Sequence, residues 1–202
     1  KTREELKLPT GDMHLYTCPA QSFKLHPDMD ILFDKILTRD PKAVIILFSK
    51  TTNLMQTMLE RRFALTMSPE HCTRIIFMPY VSRADFLHML RAVDVVLDSV
   101  HFSFGTVAFM AFAAAAPFVT WPSPRVSGRC AYRMFNAAGM PELIASDYDE
   151  YVEIALKLAH DKEFYAAMSK KMEEQNHIFQ GNDGVSQEFS ELLQNLYFDD
   201  VH

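Results

Sequence analysis

Residues 40–48 read Asp40-Pro41-Lys42-Ala43-Val44-Ile45-Ile46-Leu47-Phe48. A half-exposed strand would place a polar residue at every second position. Ala43–Phe48 has none, so the run suits a central strand of a parallel sheet, covered on both faces. Upstream, Met29, Ile31, Leu32, Ile36 and Leu37 recur at helical spacing behind Asp28, which is expected to be the N-cap, and Asp40-Pro41 stops that helix. Before it, residues 11–18 end in an extended segment held by Pro19, followed by a turn at His26-Pro27-Asp28.

The alternation continues downstream. Leu54–Phe63 predicts a helix and Arg74–Met78 a strand. Ser82-Arg83-Ala84-Asp85 resembles a capping box opening a helix over Asp85–Ala92, and Val93–Leu97 reads as another strand. A helix is expected over Thr106–Ala116, a short strand over Phe118–Trp121, and a helix over Arg129–Ala138 closed by Gly139. Ile144–Ala145 could add a last short strand before helices over Tyr148–His160, Lys162–Phe179 and Val185–Phe198. This order predicts an α/β chain with a Rossmann-like, doubly wound parallel sheet. Residues 1–160 are expected to form that domain, and 161–202 a helical extension packing on it or on a partner. Ligands of such sheets sit beyond the carboxyl ends of the strands, beside helix N-termini. That directs attention to loops 19–28, 79–84 and 98–106.

Composition narrows the function classes. The 202 residues are 49% hydrophobic with only 6 Gly and 10 Pro, so a packed core is expected rather than disorder. Twenty Lys and Arg against 26 Asp and Glu leave a net charge of −6, the wrong balance for phosphate-driven nucleic-acid binding. Cys18, Cys72 and Cys130 form no CxxC or zinc spacing and are expected as free thiols in a reducing compartment. The eight His show no HExxH or helical pair, so no metal site is predicted. Thr106–Val119 is too short to span a bilayer, and Lys1–Pro9 lacks an apolar signal core. The chain opens without Met, and a piece of something longer is expected.

A colinear set of motifs carries a resemblance. These are Cys18-Pro-Ala-Gln-Ser-Phe-Lys24-Leu-His-Pro27, Arg74-Ile-Ile-Phe-Met-Pro79, Arg83-Ala-Asp-Phe-Leu87 and Val93-Asp-Val-Val-Leu-Asp98. They continue through His101-Phe-Ser-Phe-Gly105-Thr106, Pro117-Phe-Val-Thr-Trp-Pro122, Gly128-Arg129 and Gly139-Met-Pro-Glu-Leu-Ile-Ala145. Together they resemble the carboxy-terminal half of the catalytic region of O-GlcNAc-transferase and SPINDLY-like glycosyltransferases. The resemblance implies one half of a GT-B fold that holds a nucleotide-diphosphate sugar, with a preceding GT-B domain and a protein acceptor as partners. It implies a catalytic role for Lys24, at the leaving diphosphate, and nucleotide contacts from Gln21, Arg83, Gly105 and Thr106. Arg129 matches a motif Arg after the Trp-Pro loop, and His101 borders the implied pocket. With Lys24 and a helix N-terminus supplying positive field, neither metal nor cofactor is expected. The thiols and the family together lean towards an intracellular location, cytosolic or inside an organelle.

The same stretch departs from the family pattern. Phe104 stands where a glycine would let backbone approach phosphate, Val107 lacks a hydroxyl, and Met110 occupies the place of a ribose-binding carboxylate. Ala115-Ala116-Pro117 replaces a Gly-x-Pro turn. Three readings follow: the donor-binding half of a transferase, a catalytically silent structural or partner-binding relative, and a nucleotide-binding module without transfer.

Overall fold

The computed structural model describes residues 1–49, 54–181 and 183–199. The described strands are β1 (His14–Thr17), β2 (Ala43–Ser49), β3 (Ile75–Pro79), β4 (Val95–Leu97) and β5 (Phe118–Val119). They form one parallel sheet in the order β3-β2-β1-β4-β5. Every residue of β2 is buried, as its unbroken apolar run requires. Tyr16 of β1 pairs with Ile45 on one side and Val95 on the other, so β1 is the pivot about which the chain reverses.

The helices are α1 (Asp28–Arg39), α2 (Leu54–Thr66), α3 (Pro69–Thr73), α4 (Arg83–Ala92), α5 (Thr106–Ala113) and α6 (Cys130–Ala137). Beyond them lie α7 (Tyr148–His160), α8 (Lys162–Gln175) and α9 (Asp183–Asp199). Right-handed crossovers run outward from β1 to β3 and then back to β4 and β5, which sends α1–α3 to one face of the sheet and α4 and α5 to the other. The contacts follow that division: α1 touches α2, α3 and α7, whereas α4 touches α5. Met29, Leu32, Phe33, Ile36 and Leu37 bury the inner side of α1, and Tyr151 of α7 is fully buried. Past residue 160, α8 packs on α7 and α5 and buries Met168 and Met172. Residues 184–197 of α9 are all exposed.

Several boundaries differ from the sequence reading for local reasons. Asp28 is the first residue of α1 rather than its cap; Pro27 holds the cap position, and the Asp28 carboxylate is engaged elsewhere. The helix expected to reach Ala116 stops at Ala113, because Pro117 disfavours helical backbone before it. Ala115 turns to φ +49°, its N–H bonds Phe112 O, and Ala116 N–H bonds Ala111 O, the hydrogen-bond pair of a Schellman stop. Ile144 contributes one isolated bridge to Thr120 rather than a strand. The short α3, capped by Ser68 accepting from His71 N–H, was not anticipated, and 176–179 is a tighter 3₁₀ turn after α8.

Candidate functional site

The crevice of a doubly wound sheet opens where neighbouring strands send their connections in opposite directions. Here that point lies between β1 and β4, and a cleft of about 460 Å³ occupies it. Its walls come from residues 19–24 after β1, residues 99–107 after β4, and the turn carrying Val126, Ser127 and Cys130.

Lys24 enters from a 3₁₀ turn, Ser22–Lys24, that is tied down on both sides. Ser22 Oγ donates to Phe48 O at 3.1 Å. Arg62 donates to Leu25 O at 2.8 Å while gripping the buried Asp30 carboxylate through two bonds of 2.9 and 2.8 Å. The Lys24 ammonium lies 4.2 Å from the centroid of the Phe102 ring. The start of α5 lines the same cleft. Gly105 occupies its N-cap, and no side chain caps the first turn. The amides there therefore carry the positive end of the helix dipole into the cleft. A Cβ on Gly105 would meet nothing within 4 Å, so the approach to those amides is open. Among the described residues no Asp or Glu lines the cleft, and Lys24 is the charged side chain that does. The arrangement suits an anion with several acceptor oxygens.

Asp98, at the end of β4, shapes the loop above. One oxygen accepts from Ser103 Oγ and Thr120 Oγ1, each at 2.6 Å, and the other from Phe104 N–H at 2.7 Å. Burial pushes its carboxyl up to about 6, against the pull of those hydrogen bonds. Ser103 Oγ also accepts from Ala131 N–H at 3.1 Å, joining the loop to α6. Sequence reasoning quoted Asp98 only as part of a motif; the hydroxyls that it gathers, at 103 and 120, were the available signal. Cys130 lines the cleft, but burial raises its thiol above the ordinary value, which disfavours a thiolate nucleophile.

The predicted residues divide. Gln21, Lys24, Phe104, Gly105, Thr106 and Val107 all line the cleft. Phe104 does not plug it: the residue is 4% exposed, and its ring packs 5.9 Å from that of Phe118 in the core. His101 belongs to the same loop, with φ +69°, but its Nε2 lies 2.8 Å from Asp28 Oδ2, which also accepts from Tyr148 OH at 2.6 Å. These bonds, His101's first, hold the Asp28 carboxyl below its usual range. His101 borders a separate cavity of about 320 Å³ with His26, Pro124 and Arg125. Arg83 is exposed on the first turn of α4, Met110 is half-buried along α5, and the Arg129 guanidinium lies 5.3 Å from the Tyr132 ring. None of these three lines the cleft.

With this geometry in place, residues 1–181 match glycosyl transferase family 41. The chain belongs to that family. It is 26% identical over 175 residues to the UDP-N-acetylglucosamine--peptide N-acetylglucosaminyltransferase of Caenorhabditis elegans, covering 85% of this chain and 14% of that protein. The probable Arabidopsis thaliana enzyme SEC, of the same description, is 24% identical, over 84% of this chain and 17% of its own length. The family 41 chain therefore spans less than a fifth of these relatives. In structure it is similar to a mutant of Thermobaculum terrenum O-GlcNAc transferase, with a TM-score of 0.77 and 23% identity, over 94% of this chain and 36% of that one. Anabaena HepE, solved with UDP and glucose, aligns at a TM-score of 0.67 and 16% identity, over 96% and 51% of the two chains. These likenesses establish the sheet as the carboxy-terminal, Rossmann-like half of a GT-B glycosyltransferase fold. Among the described residues, no helix is long and apolar enough to cross a membrane.

Proposed function

We propose that this family 41 chain is the donor-binding part of a glycosyltransferase that moves a sugar from a nucleoside diphosphate to a protein acceptor. The observation that carries the reading is that Lys24 and the uncapped start of α5 line one cleft, with no carboxylate among its described lining residues. In the transfer, an acceptor hydroxyl or amide attacks the anomeric carbon, the bond from that carbon to the diphosphate oxygen breaks, and the acceptor proton passes to a base. Negative charge grows on the departing diphosphate, where Lys24 and the amides of Gly105–Val107 stand ready to meet it. Gln21 and Thr106 add polar contacts to the nucleotide from the same walls. Arg83 and Arg129, which lie outside the lining, would join only on closure against a preceding GT-B domain, which would also supply the base. On this reading residues 1–160 form the donor-binding domain, 161–202 are an extension of it, and the three free cysteines fit a reducing, intracellular setting.

One observation favours a second reading, a catalytically silent relative. Among the described residues the cleft offers no carboxylate to a ribose diol, and a missing charge-assisted bond of that kind costs about 1.5–3 kcal/mol. Calorimetric titration of the chain with uridine and guanosine diphosphates, beside Lys24→Ala, separates the two. Micromolar binding lost in Lys24→Ala is the outcome expected of the donor-binding reading. Silence up to millimolar nucleotide from a folded chain would establish the silent relative.

A further inference from the structure

At the opposite end of the sheet from the cleft, three segments far apart in sequence converge on one buried carboxylate. His14 begins β1, Asp40 follows α1, and His160 ends α7. Asp40 Oδ2 lies 2.8 Å from His14 Nδ1 and 3.1 Å from His160 Nε2, and the three atoms lie within 4.8 Å of one another. The Asp40 side chain is only 2% exposed, whereas those of His14 and His160 are 25% and 47% exposed. A solvent path to the cluster therefore exists on the imidazole side.

We propose that His14, Asp40 and His160 bind a divalent transition-metal ion of the zinc class. Two imidazoles and a carboxylate are a donor set that zinc accepts, with a fourth position left for water. The carboxylate is already oriented by other groups, as metal-bound carboxylates usually are: Tyr16 OH donates to Oδ2 at 2.9 Å and Lys42 N–H to Oδ1 at 3.0 Å. Bonds of about 2.0–2.1 Å in a tetrahedron separate ligand atoms by roughly 3.3 Å. The observed separations of 2.8 and 3.1 Å thus need to open by only a few tenths of an ångström. His160, half-exposed on the last turn of its helix, has the freedom to do so. The triad His26–Asp28–His101, at the cleft end of the sheet, is the weaker candidate, because His26 Nδ1 already accepts from Asp28 N–H at 3.2 Å. An ion at Asp40 would clasp β1, the α1–β2 junction and α7 together, far from the chemistry of the cleft.

The test is zinc titration of chelator-stripped full chain by calorimetry, with thermal melting in parallel. One equivalent of zinc should bind saturably and raise the melting temperature. His14→Ala and His160→Ala should each weaken binding at least tenfold, while His26→Ala and Cys130→Ser leave it unchanged. His160→Ala alters a half-exposed helix end, so it tests the site even if a variant at Asp40 fails to fold. No saturable binding up to millimolar zinc would overturn the proposal. So would binding that survives both His14→Ala and His160→Ala, or that disappears in His26→Ala.

Discussion

Ser103 donates its hydroxyl to Asp98 Oδ2 at 2.6 Å, with both residues buried above the cleft. The carboxyl of Asp98 is pushed up to about 6 from an ordinary 3.8, chiefly by burial. The folded chain therefore holds this proton more tightly than the unfolded chain does. The resulting stability is fully present below about pH 4 and is lost as pH rises through 6. Asp98→Asn keeps the shape and removes the titration. In denaturant melts, the stability of the native protein relative to Asp98→Asn should fall by on the order of 3 kcal/mol between pH 4 and pH 7. A difference that stays constant with pH would show that Asp98 does not titrate in this window.

The ring of Phe102 lies 4.2 Å beneath the Lys24 ammonium and is 44% exposed. Such a contact contributes about 0.5–1 kcal/mol at an exposed site. Phe102→Ala should weaken nucleotide binding by roughly two- to fivefold, with little change in melting temperature. An effect as large as that of Lys24→Ala would assign the ring a direct contact with the ligand instead.

Gly105 in the cleft and Gly128 in the turn beside it should respond in opposite ways to the same change. A Cβ on Gly105 meets open space, whereas one on Gly128 would come within 2.1 Å of Ser123 Oγ and 2.8 Å of Ser123 Cβ. Gly105→Ala should leave stability within about 0.5 kcal/mol of the native value. Gly128→Ala forces the 123–128 turn apart and should cost about 1–3 kcal/mol. Chemical denaturation of both variants checks the contrast, and equal costs would contradict the geometry.

Ala115 sits at φ +49° in the stop that ends α5, a backbone region that penalises any Cβ. Ala115→Gly should stabilise the chain by up to about 1 kcal/mol, the relieved strain being partly offset by the freedom that glycine has when unfolded. A fall in melting temperature would mean that the methyl group packs more favourably than the turn is strained.

How much of this was legible in advance varies from residue to residue. The apolar run Ala43–Phe48 suited a strand buried on both faces, because six adjacent apolar side chains leave a strand no face to turn to solvent. Gln21, Lys24, Gly105 and Thr106 were found by a rule of topology together with the order of motifs, since loops at strand ends are set by where strands stop. Arg83 and Met110 have equal standing in the linear order, yet neither lines the cleft. Arg83 follows β3, at the sheet edge two strands away from β1, and Met110 lies a full turn inside α5.

The sequence by itself thus determined most of the element types, the parallel sheet and the loops that line the cleft, all of which depend on patterns within a dozen residues. Only the tertiary structure decided which side chains share a site. Asp98 gathers Ser103 and Thr120 across 22 residues, and Asp40 meets His14 and His160 across 26 and 120. Contacts over such distances are made by strand order and helix packing, which bring together residues whose spacing in the chain carries no periodic signal.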